Sequence, residues 1–243
     1  AKTIGMAGLT NKPTILLVED NVELVDFVRD ILEPNYEVVV AYNGQEALVK
    51  LERVMPDLVV SDVMMPGMDG YELTQHLKTD LKTSHIPVML LTAKSGAENH
   101  LKGLNSGADV YIEKPFMPEL LLKNIENVVA TRQHLIERFK NDAYIEVNEM
   151  AATESDKEFL ERMAQIIRDN ISTDFDVSFL VKEMGLSRTL IHMKLKSLVN
   201  CSTTEFIRQI RFKEAIKLIA DGKCNISEAA YEVGFSSPTY FTR

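Results

Sequence analysis

The chain has 243 residues, enough for two ordinary domains, and its 45% apolar and 26% charged content is that of an average globular protein. No run of 18 apolar residues exists that could span a membrane, and no secretory signal opens the chain. The net charge of −9 is uneven: residues 155–243 hold 13 Lys and Arg against 12 Asp and Glu, which leaves 14 against 24 for residues 1–154, so the first half suits a cation and argues against contact with nucleic acid there.

Residues 1–12 read as a linker, and a chain that opens on Ala1 rather than Met is expected to be a piece of something longer. From residue 13, strands and helices alternate. Strands are expected near 14–18, 37–41, 58–61, 87–91 and 110–112, and helices near 22–32, 44–54, 70–79, 97–105 and 117–140. Repeated βα units of this length predict a parallel sheet covered by helices, an α/β doubly wound fold of five strands over residues 13–140. Pro34-Asn35 and Asn43-Gly44 supply turns between elements. The last of these helices runs on through Arg132, His134, Glu137, Arg138 and Lys140, and a long polar helix there reads as a connector. Residues 141–154 carry no periodicity and read as a hinge. Ser155-Asp156-Lys157-Glu158 spells a capping box, and Phe159, Met163, Ile166 and Ile167 behind it form the apolar stripe of a packed helix.

A pattern then repeats. Val177-Ser178 followed by Lys182-Glu183-Met184-Gly185-Leu186-Ser187 is echoed 49 residues later by Ile226-Ser227 and Tyr231-Glu232-Val233-Gly234-Phe235-Ser236. In each copy a short helix stops at a Gly suited to a left-handed cap, and a Ser then caps the next helix. This is helix-turn-helix grammar in an all-α region, residues 155–243. The first reading helix is expected over Arg188–Val199, with Ile191, Leu195, Leu198 and Val199 buried and with Arg188, Thr189, His192, Lys194 and Lys196 polar and uninterrupted by acids. Thr203 to Asp221 reads as one helix, about 28 Å long, a span that could hold two reading helices near one DNA turn, about 34 Å, apart.

Cys201 and Cys224 are unclustered, which suits a reducing cytoplasm with both thiols free. His76, His85, His100, His134 and His192 show no metal-binding spacing and read as surface residues.

The chemistry concentrates where apolar strands end. Ile15-Leu16-Leu17-Val18 runs into Glu19-Asp20, and Leu58-Val59-Val60-Ser61 runs into Asp62. Three carboxylates at neighbouring strand mouths would repel one another unless a cation sits among them, and an all-oxygen set of this kind favours Mg²⁺. Val88-Met89-Leu90-Leu91 ends in Thr92, and Val110-Tyr111-Ile112 ends in Glu113-Lys114-Pro115. An Asp nucleophile, a divalent ion, a hydroxyl and an ammonium suit the acceptance and holding of a phosphoryl group.

On these motifs, in this order and spacing, residues 13 to about 138 resemble a response-regulator receiver domain with a flavodoxin-like fold. The resemblance implies that Asp62 is the phospho-acceptor, and that Glu19, Asp20, Asp62 and the Met64 backbone carbonyl hold Mg²⁺. It also implies that Thr92 is the switch hydroxyl, Lys114 the phosphate-contacting lysine and Tyr111 the switch aromatic, and that a cis bond precedes Pro115. Residues 155–243 resemble the AraC-type DNA-binding domain, on Phe206-Ile207-Arg208-Gln209-Ile210-Arg211-Phe212-Lys213-Glu214-Ala215 and on Gly234-Phe235-Ser236-Ser237-Pro238-Thr239-Tyr240-Phe241. Only seven residues follow Ser236, whereas that family continues, so this domain is expected to be C-terminally incomplete.

The two resemblances together imply a DNA-binding response regulator, most like the cytoplasmic C-terminal end of a one-piece hybrid two-component sensor. A histidine kinase domain, in cis or in trans, would phosphorylate Asp62. The surface built by strand 110–112 with helices 97–105 and 117–140 would then dimerise, and Arg188, Thr189, His192 and Lys196 would meet DNA. No His box and no Gly-rich ATP lid is present, so the piece itself reads as no enzyme. An alternative is a phosphorelay receiver whose second half makes only protein contacts. A haloacid-dehalogenase-type phosphatase would need a second acid where Met64 stands, and a dinucleotide-binding domain would need glycines where Glu19-Asp20-Asn21 stands.

Overall fold

A computed structural model describes residues 12–93, 106–142, 144–173 and 175–237. The helix expected over 97–105, the linker up to residue 11 and the motif residues from Pro238 onward lie outside the described residues. The chain divides into two units, Ala1–Thr131 and Arg132–Arg243.

The first unit alternates β1 (Thr14–Val18), α1 (Val22–Leu32), β2 (Glu37–Ala41), α2 (Gly44–Leu51), β3 (Leu58–Asp62), α3 (Gly70–Thr79), β4 (Val88–Thr92), β5 (Val110–Glu113) and the opening of α4 (Pro118–Asn141). The five strands are parallel, in the order β2-β1-β3-β4-β5. Side chains alternate across a strand with period two, so each apolar run feeds both faces. Ile15, Leu17, Leu58, Val60, Met89 and Leu91 pack with Val25, Val28 and Leu32 of α1 and with Leu121, Ile125 and Val129 of α4. Leu16, Val18, Val59, Val88 and Leu90 pack with Ala47 and Leu51 of α2 and with Leu73 and Leu77 of α3. Each such side chain contributes about 1.5–3 kcal/mol by leaving water, and this two-faced burial is why the strands read as unbroken apolar runs.

The strands fall within a residue of their expected places. Helix α2 stops at Leu51, three residues before its expected end: Arg53 and Val54 turn back to donate to the Lys50 carbonyl, and Pro56 disfavours helix at the residue before it. The reading of the histidines as surface residues fails for His85. Thr83, Ser84 and His85 are buried in the link between α3 and β4, where the Thr83 hydroxyl donates to the Leu77 carbonyl at 2.9 Å and Ser84 N to Asp80 O at 2.8 Å.

The second unit comprises the end of α4 from Arg132, a 3₁₀ turn (Val147–Met150), α5 (Glu154–Asp169), α6 (Val177–Met184), α7 (Arg188–Val199), α8 (Thr203–Ala220) and α9 (Ile226–Glu232). Leu160, Met163, Ile167, Leu180, Ile191, Leu195, Leu198, Phe206 and Ile210 are buried. The two expected glycine stops have left-handed backbones, Gly185 at φ 68° and Gly234 at φ 82°, and the Ser187 side chain caps α7. The capping box of α5 lies two residues before its expected place. Thr153, not Ser155, is the N-cap, and Asp156, not Glu158, is its partner. The segment expected as a hinge buries Ile145, Val147 and Met150. Both cysteines are free thiols, and burial pushes that of Cys201 up to about 12. Among the described residues no helix is long and apolar enough to cross a membrane.

Candidate functional site

The strand order places the site. β1 and β3 lie side by side at the centre of the sheet, and successive connections leave them toward opposite edges, which opens a crevice at their carboxyl ends. Val18 pairs with Ser61 in register, so Glu19 and Asp62 emerge next to each other. Asp20 follows Glu19 on the loop into α1. One carboxylate oxygen from each of Glu19, Asp20 and Asp62 lies within 4.8 Å of the others. Lys114, arriving after β5, places its Nζ 2.7 Å from Glu19 Oε2 and 2.9 Å from Asp62 Oδ1. Two of the three acids pair with this one ammonium, and the set is short of positive charge by two. All the acidic donors are oxygen, and the deficit is the charge of one divalent cation, so the residues fit Mg²⁺.

Local structure fixes each group. Asn21 caps α1 by accepting from Leu24 N, and its own N–H donates to Glu19 Oε1 at 3.2 Å. The acid pair therefore sits at the positive end of a helix. Val63 N donates to Asp62 Oδ1 at 2.9 Å, which orients the carboxylate at the end of β3. Glu19 is buried and Asp20 exposed. Burial holds the Glu19 carboxyl above its ordinary value, the hydrogen bond from Lys114 opposes this, and the charge on Asp62 adds to it.

The turn after β3 has a reason beyond punctuation. Gly70 N donates to Val63 O at 3.0 Å, and a Cβ at Gly70 would run into the Asp62 carbonyl oxygen. Only glycine fits there. Asp69 then caps α3 in a reciprocal box with Glu72. Asn21, Val63 N and Gly70 support the site without having been singled out in the sequence. The helix-cap position of Asn21, directly after the acid pair, was a signal that could have found it.

Thr92, half-buried, ends β4, and its carbonyl accepts from Lys114 N at 2.7 Å, so Thr92 and Lys114 leave the sheet at the same mouth. The Lys114–Pro115 peptide is cis, as the resemblance implied. Met64 lies in the loop after β3 with its side chain exposed. Tyr111 lies on β5 in register with Leu90 of β4. It is half-buried among the side chains over β3 and β4, with its hydroxyl 3.1 Å from Ser106 Oγ.

In the second unit, Arg188, Thr189, His192 and Lys196 are exposed on one face of α7. Lys194, read as part of that polar set, is a correction: its side chain is fully buried and ion-paired with Asp156. The spacing held the signal, because Ile191, Lys194, Leu195 and Leu198 follow the i, i+3, i+4, i+7 pattern of a buried face.

Two family models match the chain: a response regulator receiver domain over residues 15–126 and a helix-turn-helix domain over residues 180–243. The chain is 41% identical over 233 residues to histidine kinase P4 of Formosa agariphila, an alignment covering 96% of this chain and 17% of that protein. It is 40% identical over 117 residues to the phosphate regulon transcriptional regulatory protein PhoB of Pseudomonas aeruginosa, covering 48% of this chain and 51% of that protein. The chain thus spans a sixth to a half of the length of these curated relatives. Among solved structures, it is similar to the signal receiver domain of a signal transduction histidine kinase from Syntrophus aciditrophicus, with 37% identity and a TM-score of 0.48, over 49% of this chain and 91% of that one.

Proposed function

The chain joins a response regulator receiver domain to an AraC-type helix-turn-helix domain, and from that premise we propose that it is a transcription regulator whose DNA binding is controlled by phosphorylation of Asp62. The observation that carries this reading is the convergence of Asp62, Glu19, Asp20 and Lys114 at one crevice, with a charge deficit of two.

A histidine kinase domain, in cis or in trans, is the donor. An Asp62 carboxylate oxygen attacks the phosphorus of its phosphohistidine, the P–O bond forms as the P–N bond breaks, and the imidazole leaves with the electron pair. Glu19, Asp20, Asp62 and the Met64 carbonyl would hold Mg²⁺, which neutralises charge on the phosphoryl oxygens. Val63 N donates to Asp62 Oδ1 and so holds the carboxylate at the strand end, in position for attack. The Lys114 ammonium already contacts Glu19 and Asp62, and it would pair with a phosphoryl oxygen on Asp62. The new dianion draws the Thr92 hydroxyl toward it, and Tyr111 shifts with the strand end. The surface around β5 and α4 changes, two copies associate, and paired second units meet DNA through Arg188, Thr189, His192 and Lys196. Regulation of this kind places the protein in the cytoplasm, free or as the end of a membrane-anchored parent.

The test is incubation with a small acyl-phosphate donor and Mg²⁺, followed by intact mass. Wild type gains one phosphoryl group and Asp62→Asn gains none. Phosphorylation of a folded Asp62→Asn protein would overturn the assignment.

A further inference from the structure

Helix α7 carries the exposed polar face, and its opposite side is tied down by charge rather than by apolar packing alone. Asp156, in the first turn of α5, is fully buried and pairs with the equally buried Lys194 of α7. Its other oxygen, Oδ2, accepts from Thr153 N at 3.2 Å. Arg132, half-buried, reaches the C-terminal end of the same helix. Its Nη2 donates to Leu198 O at 2.8 Å and to Ser197 O at 3.1 Å, and its Nη1 donates to Met150 O at 3.0 Å. The guanidinium thus caps carbonyls that a helix end leaves unsatisfied, at the negative end of the helix dipole. Asp156 also attracts Arg132 electrostatically, so one carboxylate serves two cations.

A buried ionic contact of this kind adds little net stability over an apolar one, but it is intolerant of displacement. The planar fork of Arg132 meets three carbonyls in one pose, which an ammonium cannot do. Lys194 and the Arg132-bound carbonyls lie along one side of α7, so translation or rotation of the helix breaks both anchors. Arg132 also has a particular place in the chain. It stands three residues after Val129, the last α4 residue in the core of the first unit.

We propose that Arg132 and the Asp156–Lys194 pair are positioning residues for DNA reading: they fix the pose of α7 from its buried side, and Arg132 does so from the helix that leaves the receiver domain. The proposal rests on the DNA-binding reading above. None of the three meets DNA; all act through Arg188, Thr189, His192 and Lys196.

The experiment uses the whole chain after acyl-phosphate treatment. A site is first selected with wild type from random-sequence duplex DNA, and affinity is then measured for that site and for an unrelated duplex across a salt series. Arg132→Lys should lose on the order of tenfold or more for the selected site, because small misplacement of reading groups is costly. Affinity for the unrelated duplex, and the salt slope for both, should stay at wild-type values because the exposed basic residues remain. A merely structural role would lower both affinities in proportion to the unfolded fraction. The double variant Asp156→Leu with Lys194→Met removes both charges while keeping apolar volume, and it should show the same selective loss; it decides the matter if Arg132→Lys does not fold. Folded variants with the wild-type ratio of selected to unrelated binding would overturn the proposal while leaving the DNA-binding reading standing. Wild type that selects no site would overturn both.

Discussion

In the first unit three carboxylates stand around one ammonium at a solvent-reached strand mouth, whereas in the second unit one fully buried carboxylate serves a buried Lys194 and a half-buried Arg132. The difference lies in what completes each set. Around Asp156 the surplus positive charge of Arg132 is met by helix-end carbonyls, so the group is finished without outside help. Around Asp62, Lys114 is the cation paired with the carboxylates among the described residues, which leaves a surplus negative charge, and exposed Asp20 keeps the set open to water. A charge cluster that is incomplete and accessible is built to receive something, and one that is complete and closed is built to hold a geometry.

The largest effect expected from breaking this contrast is on the closed cluster. Asp156→Ala would leave Lys194 buried without its carboxylate and should cost about 3–5 kcal/mol. In thermal unfolding followed by residue-specific hydrogen exchange, the loss should fall on α5 and α7, with the β1–β5 sheet unchanged. Equal loss in the sheet would mean that the two clusters are not independent.

Lys213 offers a second way in. It is buried beneath the Phe139 ring, donates to the carbonyls of Asp142 and Ile145, and is drawn by burial from 10.5 down to about 8. Its folded value lies below its unfolded value, so its contribution to stability is present above about 10.5 and is lost as pH falls through about 8. The difference in unfolding free energy between pH 7 and pH 10.5 should therefore exceed that of Lys213→Met by up to about 3 kcal/mol, by the linkage of a shift to stability. Identical pH profiles for the two proteins would contradict this.

The open cluster should respond to metal. Mg²⁺ at a hundred times its dissociation constant should stabilise the first unit by about 2.7 kcal/mol by mass action, with the gain reversed by chelator and much reduced in Asp20→Asn. Since Asp20 is exposed, that variant without metal should unfold within about 0.5 kcal/mol of wild type. The smallest effect belongs to the exposed face of α7: His192→Ala should move stability by no more than about 0.5 kcal/mol while weakening DNA binding. A variant with unchanged DNA affinity removes His192 from the interface.

What the sequence made legible follows the same division. Glu19, Asp20 and Asp62 stand out because an acid after a buried apolar run contradicts its surroundings, and the order of the strands brings such residues together. The helix-turn-helix stops were readable because Gly185 and Gly234 need left-handed backbones that few other residues adopt. Arg132, Asp156 and Lys194 were hidden because a charged residue on a helix looks the same in sequence whether it is solvated or paired inside. Lys194 alone betrayed itself, by occupying an apolar position of α7. Gly70 stood in the sequence as the first residue of an expected helix; the close approach of its backbone to Asp62 exists only once α3 folds back on β3.

The central claim, that a phosphoryl group on Asp62 governs the second unit, is tested most directly by one paired measurement. Wild type and Asp62→Asn are treated with acyl phosphate and Mg²⁺, and each sample is divided between intact mass and titration with a duplex selected by the phosphorylated wild type. A single added phosphoryl group together with tighter DNA binding, both confined to wild type, is the predicted result. Equal DNA affinity for treated and untreated wild type, with the phosphoryl group present by mass, would contradict the account.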